Sequence, residues 1–541
     1  MTGLSAAWRS TTSRPDPVVG GSPLLGRVIA QALTQLGGVG DVVICPGSRS
    51  TAVAIGLAEA AQATGLRLHT RTDERAGAFL ALGLAKARGI AAIVVTSGTA
   101  LGNLMPAIME ARHSGVPLVV VTADRPATQI GTGTNQTTDQ IGIFGRHVVD
   151  QLHLASTDDA PQAWFGQLAR VLAAARGLRT RTPGPVQVNA AFTEPFTSTA
   201  GRAVPQPALA RIEAARPADP VRLPAGPRTV VLAGDAPPAV GRRARAVAEA
   251  ASVPLLAEPS SNARAGRCAM RNYRLLLDGE LGQQIERVVC FGHPTLSRPI
   301  SRLLARPDIE LVMVSQLADW PDPGARAAVV CDDVDLAPGH PDWLAAWHAA
   351  ATQSPHPGGP DDLITGPQLA AEVVAAARGN LVFGASNPIR DADLAAVPQK
   401  SDTACWANRG LAGIDGVLAT ATGIVLGSQQ PGTVLLGDLG FLHDIGSLHI
   451  PAGQPVPDLR VVVADDDGGG IFRTLEVAGN QWFEPLFAMP HGRDLVGLAA
   501  GFGWPASRVS RIDELRARLA RPISGIEVLV VPIDPNRQPA R

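Results

Sequence analysis

The chain has 541 residues, 45% of them hydrophobic and 18% charged, with a formal net charge of −1. That length is enough for about three or four globular domains. The near-zero charge leaves no electrostatic footprint for nucleic acid or an anionic membrane surface. No apolar run reaches the roughly 18 residues of a membrane-spanning helix. The first 20 residues lack the apolar core of a signal peptide, so 1–21 is read as a disordered tail. Five scattered cysteines without a CxxC pair fit reduced thiols in a cytoplasmic protein. The only lysines are Lys86 and Lys400. No GK[ST] exists, which removes a P-loop, and neither lysine stands where a pyridoxal Schiff base would need it.

In chain order, Ser22-Pro23 opens a helix, and Leu25, Val28, Ile29, Ala32, Leu33 and Leu36 recur at helical spacing. Strands follow at 41–45, 66–71, 91–95 and 118–122. They end in PGSRS (46–50), TDER (72–75), TSGTA (96–100) and ADRP (123–126). Strand, small-residue turn and helix in repetition predict a doubly wound α/β domain over 22–200. Residues 201–227, rich in Pro, Ala and Arg, read as a linker. A second α/β domain spans 228–350, with strands at 229–233, 253–256, 288–291 and 311–314. It has no GxGxxG, so dinucleotide binding lacks support. A linker at 351–364 leads to a third domain, 365–541, with strands at 381–383, 403–406, 433–436, 459–464 and 526–531. The fold class is α/β: three consecutive doubly wound domains with mainly parallel sheets.

The third domain carries the densest chemistry. Two strand candidates rich in aliphatic and β-branched residues, Thr433–Leu436 and Leu459–Ala464, end in Gly437-Asp438 and in Asp465-Asp466-Asp467-Gly468-Gly469-Gly470. In open α/β sheets, ligands sit beyond the carboxyl ends of the strands. Carboxylates supply hard oxygen ligands, and glycines let the backbone approach an ion or phosphate. Asp438 and Asp466 lie 28 positions apart, about one strand–helix–strand unit. They could reach one Mg²⁺ from adjacent strand ends. An ordinary Gly-Asp turn is the alternative. Glu74 has two readings as well: a first-turn acid favoured by the helix dipole, or a site carboxyl.

The pair Gly437-Asp438-Leu439 and Asp465-Asp466 resembles the diphosphate–Mg²⁺ motif of thiamine-diphosphate enzymes. Leu439 stands where that motif ends in Gly, and Asp465-Asp466 stand in place of Asn-Asn. TNQ (134–136), GASNPIR (384–390), ANRGLAGIDG (407–416) and DDDGGGIF (465–472) join PGSRS (46–50), TSGTA (96–100) and TADRP (122–126). Seven motifs in order, from about residue 24 to the C-terminus, make the chain similar to the 2-succinyl-5-enolpyruvyl-6-hydroxy-3-cyclohexene-1-carboxylate (SEPHCHC) synthase family. The nearer alternative is another thiamine-diphosphate enzyme, of acetolactate synthase or decarboxylase type. A non-catalytic scaffold of the same fold is the more distant one.

The resemblance implies thiamine diphosphate and Mg²⁺, or Mn²⁺, as cofactors, with Asp438, Asp466 and Gly468 as metal ligands. Gly437, Leu439, Gly469, Ile471 and Phe472 would line the cofactor, and Ile414 would support its bent shape. Glu74 would bind the pyrimidine ring, a role suited to a carboxyl in an apolar site. The implied reaction decarboxylates 2-oxoglutarate and adds the remaining carbanion to isochorismate in menaquinone biosynthesis. Both substrates are dicarboxylates, which favours forked arginines. Arg49, Arg125, Arg298, Arg390 and Arg409 are the implied anion contacts. Ser48, Gln136 and Ser386 would hydrogen-bond substrate. Ile471, Phe472 and Leu475 would wall the pocket. Because Glu74 of one chain meets the metal site of another in this family, the implied assembly is at least a homodimer, and a homotetramer is expected.

Overall fold

The computed structural model describes residues 21–197, 204–205, 211–353, 364–395, 398–400 and 402–534. The expected tail, apart from Gly21, lies outside them, as do parts of both expected linkers, 201–203, 206–210 and 354–363. The chain divides into two compact units.

The first unit comprises Met1–Ala215, Thr422–Gln429 and Gly446–Val456. Its six strands are β1 (Asp41–Ile44), β2 (Arg67–Thr70), β3 (Ala91–Val95), β4 (Leu118–Asp124), β5 (Asp150–Ala155) and β6 (Pro185–Ala191). All pair in parallel, in the order β2-β1-β3-β4-β6-β5. Every residue of β1, β3, β4 and β6 is buried, as expected of apolar runs covered on both faces. The edge strand β5, largely exposed and polar, gave no apolar run to find in the sequence. The helices Ser22–Gln35 and Thr51–Thr64 pack backbone to backbone. A Cβ on Gly26 would stand 2.2 Å from the Ala52 carbonyl oxygen, so nothing larger fits.

The second unit comprises Arg216–Ala421, Gln430–Ile445 and Pro457–Arg541. Val221–Leu223, placed in a linker by composition, is a strand, β7. It pairs in parallel with β13 (Val334–Leu336). Between them in sequence lie β8 (Thr229–Ala233), β9 (Leu255–Ala257), β10 (Arg287–Phe291), β11 (Glu310–Val314) and β12 (Ala327–Cys331). These form a parallel sheet ordered β12-β11-β10-β8-β9. The third sheet holds β14 (Gly379–Phe383), β15 (Thr403–Ala407), β16 (Gly432–Gly437), β17 (Leu459–Asp465), β18 (Ala506–Arg508) and β19 (Ile526–Pro532). It too is parallel, ordered β15-β14-β16-β17-β19-β18.

Each large sheet reverses its winding next to its first strand: between β1 and β3, between β8 and β10, and between β14 and β16. At such a reversal, successive connections leave to opposite faces and open a crevice at the carboxyl ends of the strands. The crevices are flanked by Pro46–Ser50 and Thr96–Ala100, by Gly234-Asp235 and Gly292–Leu296, and by Gly384–Ser386 and Gly437-Asp438. The first and third hold sequence motifs already singled out. All five cysteines are free, and no described helix is long and apolar enough to cross a membrane.

Candidate active site

The acidic end is built on β16 and β17, which are hydrogen-bonded neighbours with Gly437 opposite Ala464. Asp438 does not sit in a turn. It is the first residue of a short helix, Asp438–His443, with Gly437 as N-cap. Its side chain is buried. Oδ1 accepts the N–H of Leu439 at 2.6 Å, and Oδ2 accepts the N–H of Gly468 at 2.8 Å. Burial, opposed by those two N–H donors and reinforced by Asp465 and Asp467, pushes the Asp438 carboxyl up to about 7. Asp466 is also pushed up to about 7, first by burial and next by the charge of Asp438. Two desolvated acids that repel one another form a site whose charge is incompletely neutralised. A divalent cation fits that deficit.

The glycines that follow give the acids their room. Gly468 has φ +140, and a Cβ there would lie 2.1 Å from the Ala488 carbonyl oxygen. A Cβ on Gly470 would overlap the Asp466 carboxylate. Gly469 is buried against the Phe487 carbonyl. His491 was not singled out by sequence reasoning. Its Nε2 lies 3.2 Å from Asp438 Oδ2 and 3.7 Å from Asp465 Oδ1. Asp438, Asp465 and His491 have ligand atoms close enough to share one metal ion. A lone histidine in a loop (MPHGRD) carries no spacing signal, so only the fold reveals it.

Beside these acids, at the β14/β16 crevice, Gly437 lies against Ser386. A Cβ on Gly437 would be 3.3 Å from Ser386 Oγ. Arg390 donates from Nη1 to the carbonyls of Ala385 and Ser386, and so braces the GASNPIR loop. Leu439, Ile471 and Phe472 are half-buried, and Ile414 and Leu475 are exposed within this chain. Phe472 meets Phe487 edge to face at 5.8 Å. Arg409 is the most enclosed of the expected arginines, at 2% exposure. Its Nε and Nη2 donate to Thr295 Oγ1, and Nη2 also donates to the Thr295 carbonyl. Its Nη1 is buried without an acceptor. Arg298, the first residue of the helix Arg298–Ala305, is exposed.

In the first unit, the β1/β3 crevice gathers another expected set. Arg49 is buried, donates to the Phe192 carbonyl at 2.9 Å and lies over the Phe196 ring. Burial and then the nearby Arg125 charge hold its guanidinium below the ordinary value. Arg125 donates to the Asn135 carbonyl and to Gln129, while its Nε is buried without an acceptor. Gln136 takes a left-handed backbone (φ 56) and exchanges hydrogen bonds with Ser97. Ser48 is exposed beside Arg49. Two neighbouring guanidinium groups and an exposed amide and hydroxyl suit a carboxylate. Glu74 opens the helix Glu74–Arg88 behind the N-cap Asp73. It is half-buried, and its Oε2 accepts from Asn103 Nδ2 at 3.2 Å.

Residues 24–143 match the thiamine pyrophosphate enzyme N-terminal TPP binding domain. The chain is 47% identical over 531 residues to the 2-succinyl-5-enolpyruvyl-6-hydroxy-3-cyclohexene-1-carboxylate synthase of Kineococcus radiotolerans, covering 93% of this chain and 94% of that relative. The enzyme of the same name from Nocardioides sp. is 44% identical, covering 95% and 96%. The chain belongs to the SEPHCHC synthase family. Membership makes it a thiamine-diphosphate-dependent enzyme, a transferase, and accords with the acids gathered at the ends of β16 and β17. Among solved structures, benzoylformate decarboxylase from Polynucleobacter necessarius superposes with a TM-score of 0.68 over 95% of this chain and 99% of that one. At 18% identity, that likeness speaks for the fold alone. It carries the α/β expectation for the family's parallel sheets.

Proposed function

We propose that the chain joins 2-oxoglutarate, with loss of CO₂, to isochorismate, and so forms SEPHCHC for menaquinone biosynthesis with thiamine diphosphate and Mg²⁺. The observation that carries this reading is the buried carboxylate of Asp438 beside the half-buried Asp466 on adjacent strand ends, each raised by burial and by a neighbouring acid. Together with the Gly468 carbonyl they would hold the cation, and Gly437, Leu439 and Gly469 would border the diphosphate. Ile414, Ile471 and Phe472 would line the rings, and Glu74 would bind the pyrimidine. Bound thiamine diphosphate supplies an electron sink that lets a 2-oxo acid lose CO₂.

The chain's own residues then have two tasks. Glu74 holds a proton at a ring nitrogen and orients the cofactor. Arg49 and Arg125, with Ser48 and Gln136, bind and orient carboxylate groups, while Ser386 and Arg390 serve the β14/β16 crevice and Arg409 and Arg298 the turn after β10. Leu475 completes the apolar wall that excludes water. The minimum unit is a homodimer, with the tetramer as the fuller assembly. The three α/β domains assigned at 22–200, 228–350 and 365–541 correspond to pyrimidine, central and diphosphate modules in this reading.

The test uses purified protein with thiamine diphosphate, Mg²⁺, 2-oxoglutarate and isochorismate. Isochorismate consumption is followed and the adduct identified by mass, with Glu74→Gln as control. Adduct formation abolished in the control supports the reading. Cofactor binding without isochorismate loss moves the function to another 2-oxoacid enzyme. No cofactor binding removes it altogether.

A further inference from the structure

The central sheet also has a reversal crevice, between β8 and β10, beside which the sequence placed only Arg298. Its rim is built as closely as the other two. Asp235 and His293 exchange backbone hydrogen bonds across it, at 3.1 and 2.9 Å. A Cβ on Gly234 would stand 2.1 Å from the Pro294 nitrogen, so the 292–296 turn lies directly on the end of β8. Leu296 buries its side chain among residues of the third sheet's core, including Leu369, Ile389 and Phe383.

Glu258, immediately after β9, fixes the same turn from below. It is 1% exposed, and its Oε1 accepts the N–H of Leu296 at 2.9 Å. The N–H of Thr295 also reaches this carboxyl. The Glu258 carbonyl accepts the N–H and the hydroxyl of Ser261, which holds its own backbone in place. Thr295 is thereby set at the surface, while Arg409 is buried beneath it. Thr295 Oγ1 accepts Nε of Arg409 at 3.1 Å and Nη2 at 2.6 Å. Arg409 Nη1 has no acceptor.

A hydroxyl whose oxygen accepts two guanidinium N–H groups has only its proton left to give. Polarisation by the cation makes that O–H a stronger donor. We propose that Thr295 is a substrate-carboxylate contact that relays the charge of buried Arg409 to the surface, and that Glu258 is the positioning residue for both. The inference rests on the reading above, in which the substrates are dicarboxylates. Burial pushes Glu258 up to about 8, with the nearby Asp393 also raising it and Arg409 opposing. A carboxyl that is largely neutral near pH 7 leaves the Arg409 charge uncancelled and available to an anion.

The test compares unmutated enzyme, Thr295→Val, Thr295→Ser, Arg409→Ala and Glu258→Leu. The holoenzyme carries thiamine diphosphate and Mg²⁺, and KM is measured separately for 2-oxoglutarate and isochorismate. Thiamine-diphosphate affinity is measured by calorimetry. Thr295→Val keeps shape but takes an acceptor from buried Arg409, so its melting curve is recorded beside that of Thr295→Ser, which keeps the hydroxyl and carries the comparison if the valine variant is unfolded. Thr295→Val should raise KM for one dicarboxylate about tenfold or more, the loss of one hydrogen bond to a charged group, and leave cofactor affinity unchanged. Thr295→Ser should restore that KM, and Glu258→Leu, where its melting curve shows it folded, should raise the same KM. An unchanged KM in Thr295→Val beside a raised KM in Arg409→Ala overturns the relay and leaves the functional reading standing. Absence of turnover in the unmutated enzyme overturns the functional reading, and the relay with it.

Discussion

Asp438 Oδ2 accepts the backbone N–H of Gly468 at 2.8 Å, across 30 residues of sequence. The bond ties the carboxyl end of β16 to the glycine loop after β17, so the two halves of the acidic site are held in one geometry before any cation arrives. Such preorganisation means that losing the carboxylate costs both a ligand and the loop's anchor. Asp438→Ala should weaken thiamine-diphosphate binding in the presence of Mg²⁺ by about 100-fold. Calorimetric titration checks this, and a binding isotherm like that of the unmutated protein would remove Asp438 from the metal site.

Glu74 lies at the start of its helix with Asn103 on one carboxylate oxygen. Glu74→Gln keeps size and hydrogen-bonding capacity while removing the acid. Turnover should fall at least about 100-fold, the usual loss of a positioned proton-transfer group. Cofactor affinity, read by calorimetry on the same sample, should change little. Equal losses in both would assign Glu74 to binding instead of proton handling.

Asp41 is buried at the base of the first sheet, where His69 and Arg67 hydrogen-bond to it at 2.9 and 2.8 Å and Arg88 lies at 3.3 Å. Burial raises its pKa, but the hydrogen bonds and charges of His69 and Arg67 outweigh that and hold the carboxyl below the ordinary 3.8. A depressed native pKa stabilises above the unfolded value, and this stability is lost as pH falls through the native value. Asp41→Asn should therefore cost about 3 kcal/mol near neutral pH, with the deficit shrinking below about pH 3.8. Denaturant unfolding at several pH values reads it directly. A deficit that stays constant into acid would show that packing, not charge, is responsible.

Glu258 is the opposite case, raised by burial to about 8 from 4.5. Between those values the unfolded chain has released the proton that the native state keeps, so native stability declines as pH rises through that window. The unmutated protein should lose a few kcal/mol more than Glu258→Gln between about pH 5 and pH 8. Parallel pH–melting curves for the two proteins would argue against a buried neutral acid here.

Much of this molecule is legible in its sequence because the local rules agree with the global fold. The runs at 91–95, 118–122 and 433–436 are aliphatic or β-branched, 459–464 is so apart from Arg460, and each is a buried strand of a parallel sheet. Asp438 and Asp466 could be paired because one strand–helix–strand unit has a characteristic length. The edge strand Asp150–Ala155 and the short strand Val221–Leu223 were not legible. Each is polar or brief, and each is a strand because a neighbour supplies the pairing.

What the sequence determined by itself was the buried central strands, the α/β class and the residues at those strand ends, since these follow from periodicity and from the backbone freedom of glycine. What only the tertiary structure decided was which distant groups share a crevice. His491 reaches Asp438 Oδ2, and Thr295, whose turn is held by Glu258, meets Arg409. No spacing rule encodes those meetings, because strand order and the points where the sheets reverse their winding set them. The charge states of the buried acids followed from the same placement, through loss of water and the nearness of other charges.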